Sequence, residues 1–503
     1  MISVFVREQY RYSFDQLNEL LKGSCADVYE ILKLLKYKGI IKLVKKTSEQ
    51  VDLSDLTDVD FVKEDVRGEV LYVFAYVGVV AVKDIVLKCY PKYLKKTSAP
   101  VQQLKQALRV IEKYDSKSQK INLYDDISEN TTVNKLVVMI FLLRDFFEYG
   151  LYSSIKDIID ENGRGEIIWD KTINNTYALL SNDEPYYTSL YTRCHIADEQ
   201  DFFRRLHACV IQQIFRELEL VELTELFDIA SVPVSDEELE NLGDTDYFLY
   251  RLERETDVQF NTRKQLLLKA MYSYIADREF TTGENDSVSM YGTANFNLVW
   301  ENVCNDILGD QRYLPMGALE LPQKLDEKYR ASDTLISVIE KPGWYGVGSN
   351  GLNFRKTADR TLVPDFLAVR KIEGKCCFII LDAKHYNLQL EEDSPLSGQP
   401  GIESVTKQYL YELAYKEFIQ SNRIDYVSNC FLFPTEMDTI QLKGHVELSF
   451  LHNQGLQNIS IRLLPASKVF EYYLTDRKMD IEDLQLPFGV LEYRFSEQGS
   501  KNV

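Results

Sequence analysis

The chain has 503 residues, 45% of them hydrophobic and 27% charged, with a formal net charge of −20 at pH 7. That length exceeds one compact core, so two to four domains are expected. The acidic balance excludes a general coat of basic surface for gripping nucleic acid, though not local basic patches, and no apolar run approaches the ~20 residues of a membrane span.

In chain order, "SFDQLNELLKG" sets Phe14, Leu17, Leu20 and Leu21 at helical spacing behind Ser13, an N-cap residue. "SCADVYEILKLLKYKGI" repeats the pattern with Val28, Ile31, Leu32 and Leu35, and Gly39 stands where a C-terminal cap belongs. "IIKLVKK" then reads as a strand. Helix, helix, glycine and strand over residues 1–55 resemble a winged helix-turn-helix, with Lys33, Lys36, Lys38, Lys42, Lys45 and Lys46 as a basic edge. A small helical module for protein contact fits the same pattern equally well.

The run "VLYVFAYVGVVAVKDIVL" is β-branched and aromatic and is broken by Gly78 and Lys83-Asp84, which is strand composition. "VQQLKQALRVIEKY", "TVNKLVVMIFLLRDFFEYG" and "DEQDFFRRLHACVIQQIFREL" read as helices. "GRGEIIWDKTINNTYALL" reads as a hairpin with an adjoining loop, and "SVPVSDEELENLGDTDY" as an acidic loop. A strand-rich and helical middle region is thus expected over 56–285 and a final module over 286–503. That module holds the helix "ANFNLVWENVCNDIL", a hairpin, the helix "ESVTKQYLYELAYKEFIQ", the strand "YVSNCFLF" and a strand-like pair near 445–464. The tail "FSEQGSKNV" is polar and is expected to fray. The eight cysteines show no C-x-x-C pair and no zinc-type spacing, and the N-terminus lacks a signal-peptide layout. Reduced thiols and a cytoplasmic protein without membrane attachment are expected.

The stretch "LVPDFLAVRKIEGKCCFIILDAKHY" carries the chemistry. Two apolar runs flank Glu373-Gly374, and glycine supplies the backbone angles of a two-residue turn. Antiparallel pairing from that turn sets Asp365 opposite Asp382, on one face of the sheet, and Lys384 shares that face. Two adjacent carboxylates repel, which favours a hard cation; Asp365, Asp382, the Ala383 carbonyl and water suit Mg²⁺, or Mn²⁺. Lys384 can then orient a water and stabilise charge on a phosphoryl group. The competing reading is a plain salt bridge between Lys384 and the two aspartates. No phosphate-cradling glycine loop and no nucleophile elbow appears, so nucleotide hydrolysis by this chain is not expected. His385 should face away from the acids and serve the structure.

"VPD" followed by "LDAK" resembles the PD-(D/E)xK nuclease superfamily. The resemblance implies an α+β multidomain protein with a C-terminal α/β nuclease core on a mixed sheet. In "KQYLYELAY", Gln408 and Tyr411 match the Q-x-x-Y helix of the RecB-like branch, where such residues support the site; Tyr415 shares their helical face. Glu301 in "FNLVWENV" sits where these folds place an acidic residue near the metal, with a solvated helix carboxylate as its plain alternative. "FAYVGVVAVKDIVLKCYPKY" looks like the N-terminal strand region of McrC-like proteins. Over residues 60–470 the layout looks most like LlaJI-type restriction endonucleases. The resemblance implies a metal-dependent endonuclease cutting double-stranded DNA with an McrB-like AAA GTPase subunit. A RecB-like repair nuclease without a GTPase, or an adaptor on an inactive nuclease fold, are the alternatives.

Overall fold

The computed structural model describes residues 2–45, 70–96, 99–118, 134–153, 155–182, 184–197, 201–276, 288–349, 352–452, 454–487 and 489–490. Lys46, the polar tail and the expected boundaries at 55 and 285 lie outside these residues.

The N-terminal helices form as their caps predict. Ser13 and Gln16 make a reciprocal capping box at the start of Phe14–Leu20, and Asp27 caps Val28–Tyr37. Val28, Ile31, Leu32 and Leu35 are buried on one face. The following strand, Ile41–Lys45, pairs with Val70–Phe74, which also pairs with Arg11–Tyr12. A second sheet runs Ile2–Arg7, Ile85–Tyr90, Val77–Val82, Val288–Thr293 in spatial order. It therefore draws strands from all three of the intervals expected from sequence. Gly78 and Gly292 sit opposite each other across its antiparallel pair. A Cβ on either would meet the facing backbone at 2.2–2.3 Å, so only glycine allows that approach.

The middle region is mainly helical around one large core. Val101–Ser118, Lys135–Tyr149, Phe202–Leu220, Thr245–Val258 and Thr262–Ala276 contribute its buried residues. The last two helices were not expected from the sequence. Their charged residues dilute the apolar pattern, but Phe248 and Leu252, one turn apart, are fully buried and Asp244 caps the first helix. The segment expected as a hairpin with a loop is instead a short helix, Trp169–Asn175, between the strands Glu166–Ile167 and Ala178–Ser181. Its β-branched residues suggested strand. Thr172 faces inward, and its hydroxyl accepts from the Tyr191 amide at 2.9 Å, which ties the turn of helix to the neighbouring strand.

The C-terminal sheet has the order Phe366–Ile372, Lys375–Ala383, Tyr426–Thr435, Ile459–Pro465, Gln441–Val446, with Gly489–Val490 beside Tyr426–Thr435. It is mixed: the two central pairings are parallel and the outer ones antiparallel. The helix Phe296–Leu308 packs on one face, where Cys377, Ile379 and Leu381 join the large core. The helix Ile402–Ser421 packs on the other, against Cys376, Phe378 and Ile380. The adjacent cysteines thus point to opposite faces, as strand geometry requires. The described cysteines are unpaired. Among the described residues no helix is long and apolar enough to cross a membrane.

Candidate active site

The register of the acidic hairpin follows from its turn. Glu373 and Gly374 both have positive φ, 50° and 81°, the pattern of a type I′ turn. Ile372 then pairs with Lys375 and, six steps out, Phe366 pairs with Leu381. The next step sets Asp365 opposite Asp382, on the face that carries Leu367, Val369, Phe378 and Ile380. Both aspartates stand at the end of the sheet, and Lys384 follows with its amide bonded to the Leu432 carbonyl at 2.8 Å.

Lys384 Nζ lies 2.7 Å from Asp382 Oδ1 and 3.6 Å from Asp365 Oδ2. The side chain of Asp382 is only 7% exposed, whereas that of Asp365 is 27% exposed. Burial pushes the Asp382 carboxyl well above the usual range, and the neighbouring Asp365 adds to the shift against the opposing pull of Lys384. Burial alone would lower the lysine, but Asp382 and Asp365 outweigh it and hold the ammonium above its ordinary value. Lys384 therefore stays charged beside both carboxyls.

Glu301, on the helix Phe296–Leu308, belongs to the same electrostatic cluster. Burial pushes its carboxyl up to about 7, with Asp365 adding and Lys384 and Arg312 opposing. Among the described residues no group of three or more His, Cys, Asp or Glu side chains is placed to hold a metal ion. The donor set is the carboxylate pair. It suits a hard cation in one further respect: Asp382 Oδ1 is buried and has no hydrogen bond of good geometry, its ion pair with Lys384 notwithstanding.

The helix Ile402–Ser421 supports the hairpin from its own face. Tyr411 donates from its hydroxyl to the Val363 carbonyl at 3.0 Å, two residues before Asp365. Burial pushes that phenol up to about 12, and Asp365 and Asp382 reinforce the shift. Tyr415 donates to the Leu335 carbonyl at 3.0 Å. Gln408 is fully buried, and neither atom of its amide has a hydrogen-bond partner among the described residues. One turn on, Glu412 accepts from the Gln457 amide at 2.9 Å and from Asn429 Nδ2 at 3.3 Å.

Three residues missed in the sequence hold the first strand of the hairpin. Arg312 donates to the Pro364 carbonyl at 2.6 Å and to Asp310 Oδ2 at 2.8 Å. Asp310 Oδ1 accepts from the Leu367 amide at 3.2 Å, and Gln311 Oε1 accepts from the Val369 amide at 2.7 Å. Phe366–Ile372 is an edge strand, so Asp310 and Gln311 satisfy amides that would otherwise lie open. The only local signal is a polar triplet directly after the Gly309 helix cap.

His385 lies apart from the acids, as expected. It is buried against Phe296 and Tyr93, with ring centroids 5.0 and 6.1 Å away. Burial lowers its pKa and raises that of Glu8, 3.8 Å away, against the opposing pull of Lys92 on Glu8.

The family model for the LlaJI restriction endonuclease matches residues 76–467, well over half of the chain. A curated relative, the YdjA component of the Type II restriction enzyme BsuMI from Bacillus subtilis, is 26% identical over 491 residues. That match covers 96% of this chain and 91% of the relative. Among solved structures, a half-complex of Thermococcus gammatolerans McrB AAA+ hexamers with bound McrC matches 94% of this chain and 99% of its own at 14% identity and a TM-score of 0.34. A second structure, the McrBC complex of the same organism, matches 54% of this chain and 79% of its own at 17% identity and a TM-score of 0.22. At such scores the likeness decides nothing about how the elements are placed.

Proposed function

Because the chain belongs to the LlaJI restriction endonuclease family, we propose that it is the metal-dependent nuclease subunit of a restriction system, cutting double-stranded DNA in the cytoplasm on a PD-(D/E)xK core. The observation that carries this reading is the convergence of Asp365, Asp382 and Lys384 on one sheet face. A divalent ion, Mg²⁺ or Mn²⁺, held by Asp365 and Asp382 with Glu301 and the Ala383 carbonyl as further oxygen donors, would polarise a phosphoryl oxygen and acidify the attacking water.

The chain's own groups do the rest. Burial opposes ionisation of Asp382, and a bound cation would favour it. Lys384 stays charged beside them, where it can orient a water and offset negative charge on the phosphoryl group. Tyr411 and Arg312 hold Val363 and Pro364 and so fix where Asp365 begins. Gln408 has unsatisfied amide atoms to offer to an ordered water in the same layer.

An McrB-like AAA GTPase as partner is part of the proposal and rests on the sequence resemblance. It is tested by incubating plasmid and Mg²⁺ with this chain alone, then with such a partner plus GTP, ATP or a non-hydrolysable GTP analogue. Double-strand cleavage only with the partner and hydrolysable GTP is expected. Efficient site-specific cutting by the chain alone would reject the partner.

A further inference from the structure

The strands Gly343–Val347 and Asn353–Thr357 form a two-stranded ribbon that pairs with no other strand among the described residues. Trp344, Tyr345, Val347 and Phe354 are exposed by 70, 76, 70 and 46%. An isolated two-stranded ribbon is marginal in water, and exposed aromatics on both faces leave it without a core of its own.

The composition of each face indicates what meets it. The register pairs Trp344 with Lys356 and Gly346 with Phe354 on one face, and Tyr345 with Arg355 on the other. Arg355 lies 5.6 Å from the Tyr345 ring centroid, and Lys356 lies 5.8 Å from that of Phe354. The glycines make room for this. A Cβ on Gly346 would come within 2.6 Å of the Phe354 ring, and one on Gly343 within 3.0 Å of the Arg355 guanidinium. Each face is therefore aromatic and cationic together, and neither is a plain apolar face of the kind that docks a protein.

Charge and position favour one occupant. Between Lys341 and Thr361 four basic residues, Lys341, Arg355, Lys356 and Arg360, stand against the single acidic Asp359, in a chain of net charge −20. The ribbon is closed at its base by the Ala358 amide donating to the Pro342 carbonyl at 2.9 Å. Thr357 is eight residues before Asp365, a span of at most about 28 Å even if fully extended.

We propose that this ribbon is a DNA-contacting arm of the nuclease site, lying in a groove of double-stranded DNA beside the scissile phosphate. The major groove, about 12 Å wide, admits a two-stranded β-ribbon. Arg355 and Lys356 reach phosphates or base edges, and Trp344, Tyr345 and Phe354 supply flat apolar surface against sugars and bases. The inference rests on the nuclease reading.

The test is duplex binding by the full chain without divalent metal, measured by anisotropy of a labelled 30-base-pair duplex across a salt series. Wild type is compared with Trp344→Ala and with Arg355→Ala/Lys356→Ala, each checked for an unchanged thermal melt. The double variant is expected to bind at least tenfold more weakly, with a salt slope smaller by about 2, one unit for each phosphate that is no longer neutralised. Trp344→Ala should lose affinity with the slope unchanged, and Trp344→Phe should restore most of it. Wild-type duplex binding that both variants retain in full, or loss confined to single-stranded DNA, overturns the arm and leaves the nuclease reading standing. Wild type that neither binds duplex at low salt nor cleaves it with a partner present overturns both.

Discussion

Tyr411 and Val363 are joined by a 3.0 Å hydrogen bond that runs from the supporting helix to the backbone two residues before Asp365. The two residues lie 48 positions apart in sequence, yet their bond sets the point at which the acidic strand enters the sheet. Tyr411 is therefore a positioning residue. Tyr411→Phe keeps the ring and removes the donor. A stability loss of ~1 kcal/mol is expected from denaturant unfolding. Cleavage should fall by about tenfold through kcat, because Asp365 is no longer held, with duplex affinity unchanged. A fall in affinity at unchanged kcat would contradict this role.

Arg312 holds the same segment from the other side, through the Pro364 carbonyl and Asp310. Arg312→Ala leaves Asp310 without its cation and Pro364 without its donor. It should cost ~2 kcal/mol of stability and at least tenfold in cleavage. Arg312→Lys should recover little of either, because a single ammonium cannot reproduce the two-point fork. Unfolding and cleavage assays on the two variants check this, and full rescue by lysine would count against the geometry.

The Glu412 carboxyl gives a pH signature outside the residues proposed to bind metal. Burial pushes it up to about 7 from an ordinary 4.5, against the lowering influence of the Gln457 amide, Asn429 and Lys416. The folded protein thus holds this proton to a higher pH than the unfolded chain does. Its contribution to stability is complete below pH 4.5 and is lost as pH rises through 7. The gap between the two values corresponds to ~3 kcal/mol over that window. Glu412→Gln removes the titration and should flatten the stability profile between pH 5 and 7.5. Chemical denaturation at several pH values measures it, and a profile unchanged by the substitution would contradict the assignment.

What could be read in the sequence follows the range of the forces involved. The facing of Asp365 and Asp382 was legible because a two-residue Glu-Gly turn and strict alternation fix register locally. The capped helices 14–20 and 28–37 were legible for the same reason. Arg312 was not, because its partner carbonyl is 52 residues away and nothing near it marks the pairing. The helices 245–276 were hidden by charged residues that dilute their apolar stripe. The short helix 169–175 was hidden by β-branched residues, and its identity depends on Thr172 finding a partner on a later strand. The strand exchange that unites Ile2–Arg7 with Val77–Val82 and Val288–Thr293 is likewise a long-range pairing with no local trace.

Asp382→Asn probes the proposed hydrolytic role of Asp365, Asp382 and Lys384 most directly. Without metal the substitution relieves the burial of a carboxyl next to Asp365 while Asp365 still faces Lys384, so stability should hold or rise by ~1 kcal/mol. With metal it removes one of two anionic oxygen donors. The measurement is double-strand cleavage of plasmid by the purified variant, free of contaminating nuclease, beside wild type in Mg²⁺ with the partner GTPase and GTP. A folded protein is expected that binds duplex as wild type does and cuts at least a thousandfold more slowly, a loss of ~4 kcal/mol from the transition state. Cleavage by the variant at the wild-type rate would contradict it.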